Sequence, residues 1–310
     1  MNIVPIAFAF DNNLVMPACV CISSLMMNAK EDTFYDIFIL HSASGNLEKS
    51  SLDKIPQYYK NCKIQYRTVG DEFDNAFEIR GISTPTYYRL LIPELIPEYD
   101  KILYSDVDVI FREDLSEIYN TDITNYYVGG VNSVSHLCED TCKYYDKLGL
   151  DAKAIIYAGN LIINSKEILK NNVISKFKEL RNCKLKYQDM DILNIVCKEN
   201  VKFISPWFCW TNNINKYAIE SNSKLFEVFT KEEIEWAKFK GIVHYNGQKP
   251  WHEYCVNFDI WWEYYRKCPF YDEQYYFKFF FDKTMSLDSL TLWKRIKILL
   301  RYFVYGRYKG

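Results

Sequence analysis

The sequence predicts an α/β fold with a mostly parallel sheet flanked by helices. The first observation is order: through the first 200 residues, short apolar runs alternate with longer amphipathic segments, as in a parallel sheet with helical crossovers. The second is composition. With 49% hydrophobic and 25% charged residues, the chain matches a globular protein and neither a disordered chain nor a coiled coil. The third is size, because 310 residues suit one large or two modest domains.

The elements follow in order. Residues 3–10 are an apolar run too short to cross a bilayer. The run also lacks the basic segment and cleavage site of a signal peptide, so it is expected as a buried first strand. Further strands are expected at 35–40, 63–68, 101–104, 127–131, 160–163 and 241–245. Helices are expected at 16–27, 47–59, 86–92, 140–148, 166–180 and 188–197. There is no low-complexity linker and no internal repeat. In such sheets ligands bind beyond the C-terminal strand ends, which directs attention to Asp11-Asn12-Asn13 and to Asp106-Val107-Asp108.

Composition also excludes function classes. Lys and Arg number 38 against 40 Asp and Glu, so no global basic excess points to nucleic acid. Only 11 glycines are present, and neither G-x-G-x-x-G nor G-x-x-x-x-G-K-[ST] occurs. Ten cysteines with no C-x-x-C pair read as reduced thiols of a cytosolic protein. The absence of an N-x-[ST] sequon agrees. His136, Cys138 and Cys142 could begin a zinc site, but no fourth ligand is evident.

Asp106 and Asp108, at i and i+2 past a strand, can share one divalent cation of the Mg²⁺ or Mn²⁺ type. The competing reading is a surface turn. His244 also follows a strand, and an imidazole with two carboxylates is an acceptable Mn²⁺ set. The competing reading there is a histidine satisfied by hydrogen bonds.

Together the motifs resemble glycosyltransferase family 8. They are Ile6-Ala-Phe-Ala-Phe-Asp-Asn-Asn, Ser83-Thr-Pro-Thr-Tyr-Tyr-Arg-Leu, the D-x-D, Tyr157-Ala-Gly-Asn-Leu-Ile-Ile-Asn, Tyr187-Gln-Asp-Met-Asp-Ile-Leu-Asn and His244-Tyr-Asn-Gly-Gln-Lys-Pro-Trp. Within the family the chain looks most like the bacterial branch that adds galactose or glucose to lipopolysaccharide. The resemblance covers roughly residues 3–265 and implies a GT-A fold, Rossmann-like, with a metal-bound UDP-sugar. By position it implies Asp106, Asp108 and His244 as ligands of Mn²⁺, with Mg²⁺ as the other candidate ion. Phe10, Asp11 and Asn13 would meet the uridine. Arg89 would contact the donor sugar and hold Asp106. Gly247 and Lys249 would bind phosphate oxygens, Lys249 as a point charge. Asp189 would accept hydrogen bonds from donor hydroxyls, its alternative being an acid in a helix's first turn. By the same resemblance, Val107 and Ala158 would belong to the donor site.

Two positions depart from the family pattern. Tyr157 stands where an amide is common, and Met190 stands where glutamine is common, below the anomeric carbon. The family retains anomeric configuration, and a double displacement needs a back-face nucleophile. A thioether is a poor one, so front-side substitution is expected, with attack by Asp189 as its competitor. A catalytically silent UDP-sugar- or carbohydrate-binding protein is the alternative from another class.

The C-terminal part differs in character. Residues 1–265 are expected as the catalytic domain and 266–310 as a helical, aromatic and basic extension. Of the 28 residues at 254–281, 14 are Phe, Tyr or Trp, and core packing is their expected use. Trp251 and residues 207–210 are the acceptor-site candidates among the aromatics. Residues 289–310 contain Lys294, Arg295, Lys297, Arg301, Arg307 and Lys309 and no acid, leaving 32 basic against 40 acidic residues elsewhere, a balance of −8. Leu292, Ile296, Leu299, Leu300 and Phe303 fall on one helical face. That pattern suits a peripheral helix on an anionic membrane, at the cytoplasmic face, where a glycan or lipid-linked acceptor would lie. The alternative is a helix docked on the domain.

Overall fold

Ten strands form among the described residues, in chain order: β1 (Asn2–Ala9), β2 (Thr33–Ser42), β3 (Cys62–Val69), β4 (Ile102–Ser105), β5 (Val109–Ile110), β6 (Val128–Asn132), β7 (Ile156–Ile163), β8 (Val201–Ile204), β9 (Trp210–Thr211) and β10 (Val243–His244). The structure is a computed structural model that describes residues 2–73, 76–78 and 84–305. Ser83 of the expected motif, and Arg307 and Lys309 of the tail, lie outside the described residues, as does the side chain of Arg301.

Seven strands make one sheet in the order β3-β2-β1-β4-β7-β6-β8. All neighbours are parallel except β7, which runs antiparallel to both β4 and β6. β1 lies inside the sheet, between β2 and β4, and its last six residues are buried. Strands covered on both faces read as continuous apolar runs, which is why residues 3–10 were so legible. β1 pairs with β2 from Asn2↔Thr33 to Ala9↔Leu40, and with β4 at Ile6↔Leu103 and Ala7↔Tyr104. One core layer packs Val15–Met27 and several later segments on one side of this sheet. The other holds Tyr87, Tyr88, Ile92, Phe177, Ile192 and Leu193.

A second sheet, β5-β10-β9, was not foreseen. Its strands have two residues each, too short for a periodicity signal. β10 pairs antiparallel with β5 (His244↔Val109) and parallel with β9 (His244↔Thr211). The small sheet brings the segment after Asp108 beside His244.

Several expected helices differ. Instead of a helix over 47–59, a 3-10 turn at Leu52–Lys54 leads into a single turn at Ile55–Tyr58, where Pro56 suits a first helical turn and not an interior. The expected 86–92 helix is 3-10 from Thr84 to Leu91. The expected 166–180 helix is two, Ser165–Lys170 and Val173–Leu180, divided by Asn172 at φ 50°. Asparagine tolerates that left-handed conformation. Gln188–Cys197 forms as expected. The edge strand β8, with Phe203 about half exposed, was missed.

The chain divides into two units, Met1–Phe270 and Tyr271–Gly310. In the first, Trp261, Trp262 and Tyr265 of the Phe258–Lys267 helix are buried, as core packing requires. In the second, the helices Glu273–Asp288 and Leu292–Tyr305 carry exposed Phe277, Phe281, Trp293 and Phe303. Aromatic crowding thus means core only in the first unit. No helix among the described residues is long and apolar enough to cross a membrane.

Candidate active site

Strand β4 ends at Ser105, and the chain then turns through Asp106-Val107-Asp108 into β5. The Asp106 N–H donates to the Gly159 carbonyl at 2.8 Å, which ties this turn to β7. The carboxylate of Asp106 accepts from Tyr104 Oη at 2.7 Å and from Arg89 Nη2 at 2.8 Å, both through Oδ1. Oδ2 lies 3.7 Å from His244 Nε2. Asp108 Oδ1 is 3.2 Å from the same nitrogen, and its Oδ2 contacts Lys249 Nζ. Asp106, Asp108 and His244 therefore converge, each offering one ligand atom within 4.8 Å of the others.

Three charged groups frame this cluster. Arg89 is buried and its Nε lies 3.1 Å from Asp189 Oδ2, so one guanidinium joins Asp106 to Asp189. Arg89 also donates to the carbonyls of Thr86 and Ala158, and its fork is well suited to such shared carboxylates. Burial opposes its charge, but Asp106 and Asp189 hold the guanidinium firmly protonated. Burial pushes the Asp189 carboxyl up to about 7, against the pull of Arg89 and with Asp106 adding to the rise. Burial likewise disfavours an ionised Asp108, but Lys249 and His244 outweigh it and hold that carboxyl well below the usual range. Lys249 also donates to the Tyr245 carbonyl at 2.5 Å.

The surrounding cleft has a volume of about 680 Å³, within the usual range for a ligand site. Of the residues expected there, Phe10, Asp11, Arg89, Asp106, Val107, Asp108, Tyr157, Ala158, Asp189, Met190, His244, Gly247 and Lys249 all line it. Asn13 does not: it is exposed, and its backbone N–H donates to Asp11 Oδ1 at 2.9 Å as part of a helix cap. The tryptophans expected near the acceptor, Trp207, Trp210 and Trp251, are not among the residues that line this cleft. Trp210 is buried in the core, and Trp251 is buried with its ring 5.4 Å from that of Trp261. The Tyr157 hydroxyl is engaged by Thr211 Oγ1 at 3.1 Å. Among the described residues, His136, Cys138 and Cys142 form no metal-ligating group.

Sequence reasoning missed several residues. A Cβ on Gly159 would stand 2.2 Å from His244 Cε1 and 2.9 Å from Asp106 Oδ2, so this glycine keeps the space the cluster needs. A glycine inside a strand was the available signal. Asn213 and Tyr217, on the Asn212–Ile219 helix, and residues 133–135, after β6, line the cleft from segments that carry no motif, and Tyr187 lines it from the edge of one. Asp191 is fully buried and accepts from Tyr144 Oη at 2.5 Å and the Tyr187 N–H at 2.8 Å; it braces the wall and does not face the cleft. The donor set suits a divalent cation: two hard carboxylates and one imidazole, around a space a methyl group would fill.

Comparison with other proteins bears on the fold and the family. A Haemophilus influenzae protein assigned to the glycosyltransferases is 30% identical over 82% of this chain and 74% of its own. The Escherichia coli lipopolysaccharide 1,2-glucosyltransferase is 24% identical over 81% of this chain and 74% of its own. Among solved structures, the galactosyltransferase LgtC, crystallised with donor and acceptor sugar analogues, superposes with a TM-score of 0.71 at 25% identity, covering 89% of this chain and all of that one. The bifunctional glycosyltransferase WbbM superposes with a TM-score of 0.70 at 21% identity, over 89% of this chain and 51% of that one. These likenesses establish the GT-A fold. Residues 5–255 match the model of glycosyl transferase family 8, and the chain is a member of that family.

Proposed function

We propose that this chain is a retaining transferase that moves a hexose, galactose or glucose, from a UDP-sugar to a glycan acceptor such as lipopolysaccharide or another surface glycan. The observation that carries the reading is the convergence of Asp106, Asp108 and His244 in a cleft that also holds Lys249, Arg89 and Asp189. The names of the two relatives, a lipopolysaccharide glucosyltransferase and a galactosyltransferase, support the same sugars.

Asp106, Asp108 and His244 would hold Mn²⁺, or Mg²⁺ in its place, and a bound ion would supply charge neutralisation at the diphosphate. Asp11 accepts the uracil imide N–H, and Phe10 and Val107 shape the nucleoside end of the cleft. Lys249 and the Gly247 backbone receive the phosphates. Asp189, positioned by Arg89, accepts from sugar hydroxyls. The acceptor oxygen attacks the anomeric carbon on the face that UDP leaves. The bond to the diphosphate oxygen breaks, and that oxygen takes the acceptor's proton. Two features support front-side substitution over a covalent intermediate: Met190 offers a thioether, and Asp189 is committed to Arg89 at 3.1 Å.

The chain works at the cytoplasmic face of the membrane, with residues 289–310 on anionic lipid. Support comes from Leu292, Trp293, Leu299, Leu300 and Phe303, which are 56–80% exposed on a helix that also carries Lys294, Arg295 and Lys297. Deleting 289–310 should abolish anionic-liposome binding and leave donor hydrolysis intact; unchanged binding refutes the membrane role.

A UDP-sugar panel with Mn²⁺, scored for slow donor hydrolysis, tests the catalytic reading. Hydrolysis of UDP-galactose or UDP-glucose is expected. UDP binding with no UDP release from any donor would instead favour a silent sugar-nucleotide-binding protein.

A further inference from the structure

The imidazole of His244 is clamped on three sides. Nε2 faces Asp108 at 3.2 Å and Asp106 at 3.7 Å. Cε1 abuts the space that Gly159 leaves open. Nδ1 lies 3.4 Å from the sulfur of Cys209. Both residues are buried, and no other partner of Nδ1 occurs among the described residues.

The backbone holds this contact in place. Cys209 ends the Pro206–Phe208 turn and immediately precedes β9, and β9 pairs with the strand that carries His244. Trp210 N–H donates to the Ile242 carbonyl at 2.8 Å, and Ile242 N–H donates to that of Trp207 at 2.7 Å. The thiol and the ring thus ride on adjacent strands with little freedom between them.

A histidine that ligates a metal offers one nitrogen's lone pair, and the other nitrogen then carries the proton. That second N–H is ordinarily received by a carboxylate, a carbonyl or water. Here a thiol stands in that place. A thiol can accept weakly through sulfur, so it can receive that proton. If Nδ1 had no partner, the ring would be drawn to the opposite tautomer. Its Nε2–H would then point at Asp108, and the lone pair needed for the ion would be lost.

We propose that Cys209 is the positioning residue of His244: its sulfur accepts the Nδ1–H and leaves the Nε2 lone pair directed at the space between Asp106 and Asp108. This rests on the metal-site reading above. Mn²⁺ binding to the full chain with UDP, followed by the loss of the free-ion EPR signal, tests both. Wild type should bind one ion, and His244→Ala should not. Cys209→Ala should bind about 10–100-fold more weakly, whereas Cys209→Ser, which restores a hydroxyl acceptor and donor, should stay within about fivefold of wild type. Donor hydrolysis by Cys209→Ala should need more Mn²⁺ for half-maximal rate and approach the wild-type rate at saturation.

Wild-type affinity in Cys209→Ala overturns the role, as does a Cys209→Ser variant as weak as Cys209→Ala. Wild type that binds no ion, or His244→Ala that binds normally, sinks the metal site itself and with it this role. Should Cys209→Ala fail to fold, ¹⁵N-histidine NMR of the wild-type chain with Mg²⁺ and UDP decides: a proton on His244 Nδ1 is expected, and its absence there refutes the proposal.

Discussion

The cleft contains a charged set of residues and an uncharged set, and they are held differently. Asp106, Asp108, Arg89, His244 and Lys249 each contact two or more polar partners, and they sit at strand ends or on segments braced against them. The uncharged set includes Ser133, Val134, Ser135, Cys138 and Thr141, which follow β6 in a short loop and the start of the Glu139–Lys147 helix. There the Ser133 and Ser135 hydroxyls bond each other at 2.6 Å. Val134 sits at φ 52°, an uncommon conformation for a β-branched residue and a strained one. Strand ends bring the charged set together, whereas the loop set is held by its own hydrogen bonds and a strained turn.

The largest effect should come from removing a charge from the first set. Asp108→Asn takes away one carboxylate oxygen and the anion that Lys249 faces. Donor hydrolysis should fall about 10³-fold, with an unchanged far-UV spectrum. A drop of less than tenfold would break the claim that this set carries the chemistry. Next comes Gly159→Ala. Its methyl group would collide with His244 Cε1 at 2.2 Å, so either the ring or β7 must move. A loss of about 10²-fold in metal-dependent rate is expected, with destabilisation of about 1–3 kcal/mol, measured by denaturant titration. A normal Mn²⁺ requirement in that variant would show that the histidine need not be held so closely.

A smaller effect concerns pH. Burial raises Asp189 to about 7 from an ordinary value of 3.8. A raised carboxyl favours its protonated form in the folded chain. Its contribution to stability is therefore complete below about 3.8 and is lost as pH rises through about 7. Comparison with Asp189→Asn isolates it: the wild-type stability relative to the variant should decline by on the order of 4 kcal/mol between pH 4 and 8. A flat difference would mean that Arg89 holds this carboxylate ionised throughout, and the charged set would then be balanced more evenly than burial alone implies.

The contrast between the two sets also explains what the sequence disclosed. A buried strand such as β1 writes itself as an unbroken apolar run, and acids just past such runs stand out, so Asp11, Asp106 and Asp108 were visible. His244 followed a recognisable strand. The partners that fix these groups were less visible, because each contact joins residues far apart in the chain: Arg89 with Asp189, Gly159 with His244, Cys209 with His244. β5 and β9 have two residues each and carry no period of their own. The aromatic stretch at 254–281 misled in part, since composition alone does not separate Trp261, which is buried, from Phe277 and Phe281, which are exposed.

Met190 lies in the cleft wall beside Asp189 and is the apolar residue between Asp189 and Asp191. Its main chain is ordinary: its N–H donates to the Tyr187 carbonyl at 3.1 Å, and its carbonyl accepts from Asn194 at 2.8 Å. The side chain has no acid, base or charge to give. If the acceptor attacks on the leaving-group face, Met190 needs only to fill space below the sugar. Met190→Ala should then lower kcat less than about tenfold, through looser sugar placement, and Met190→Gln should be milder still. A loss near that of Asp108→Asn, without loss of UDP binding, would place the residue in the chemistry and break the division between the two sets. Mass spectrometry of Met190→Ala incubated with donor adds the complementary check: a covalent hexose on Asp189 would show that the variant opens a back-face route the wild-type side chain blocks, and its absence is the expected result.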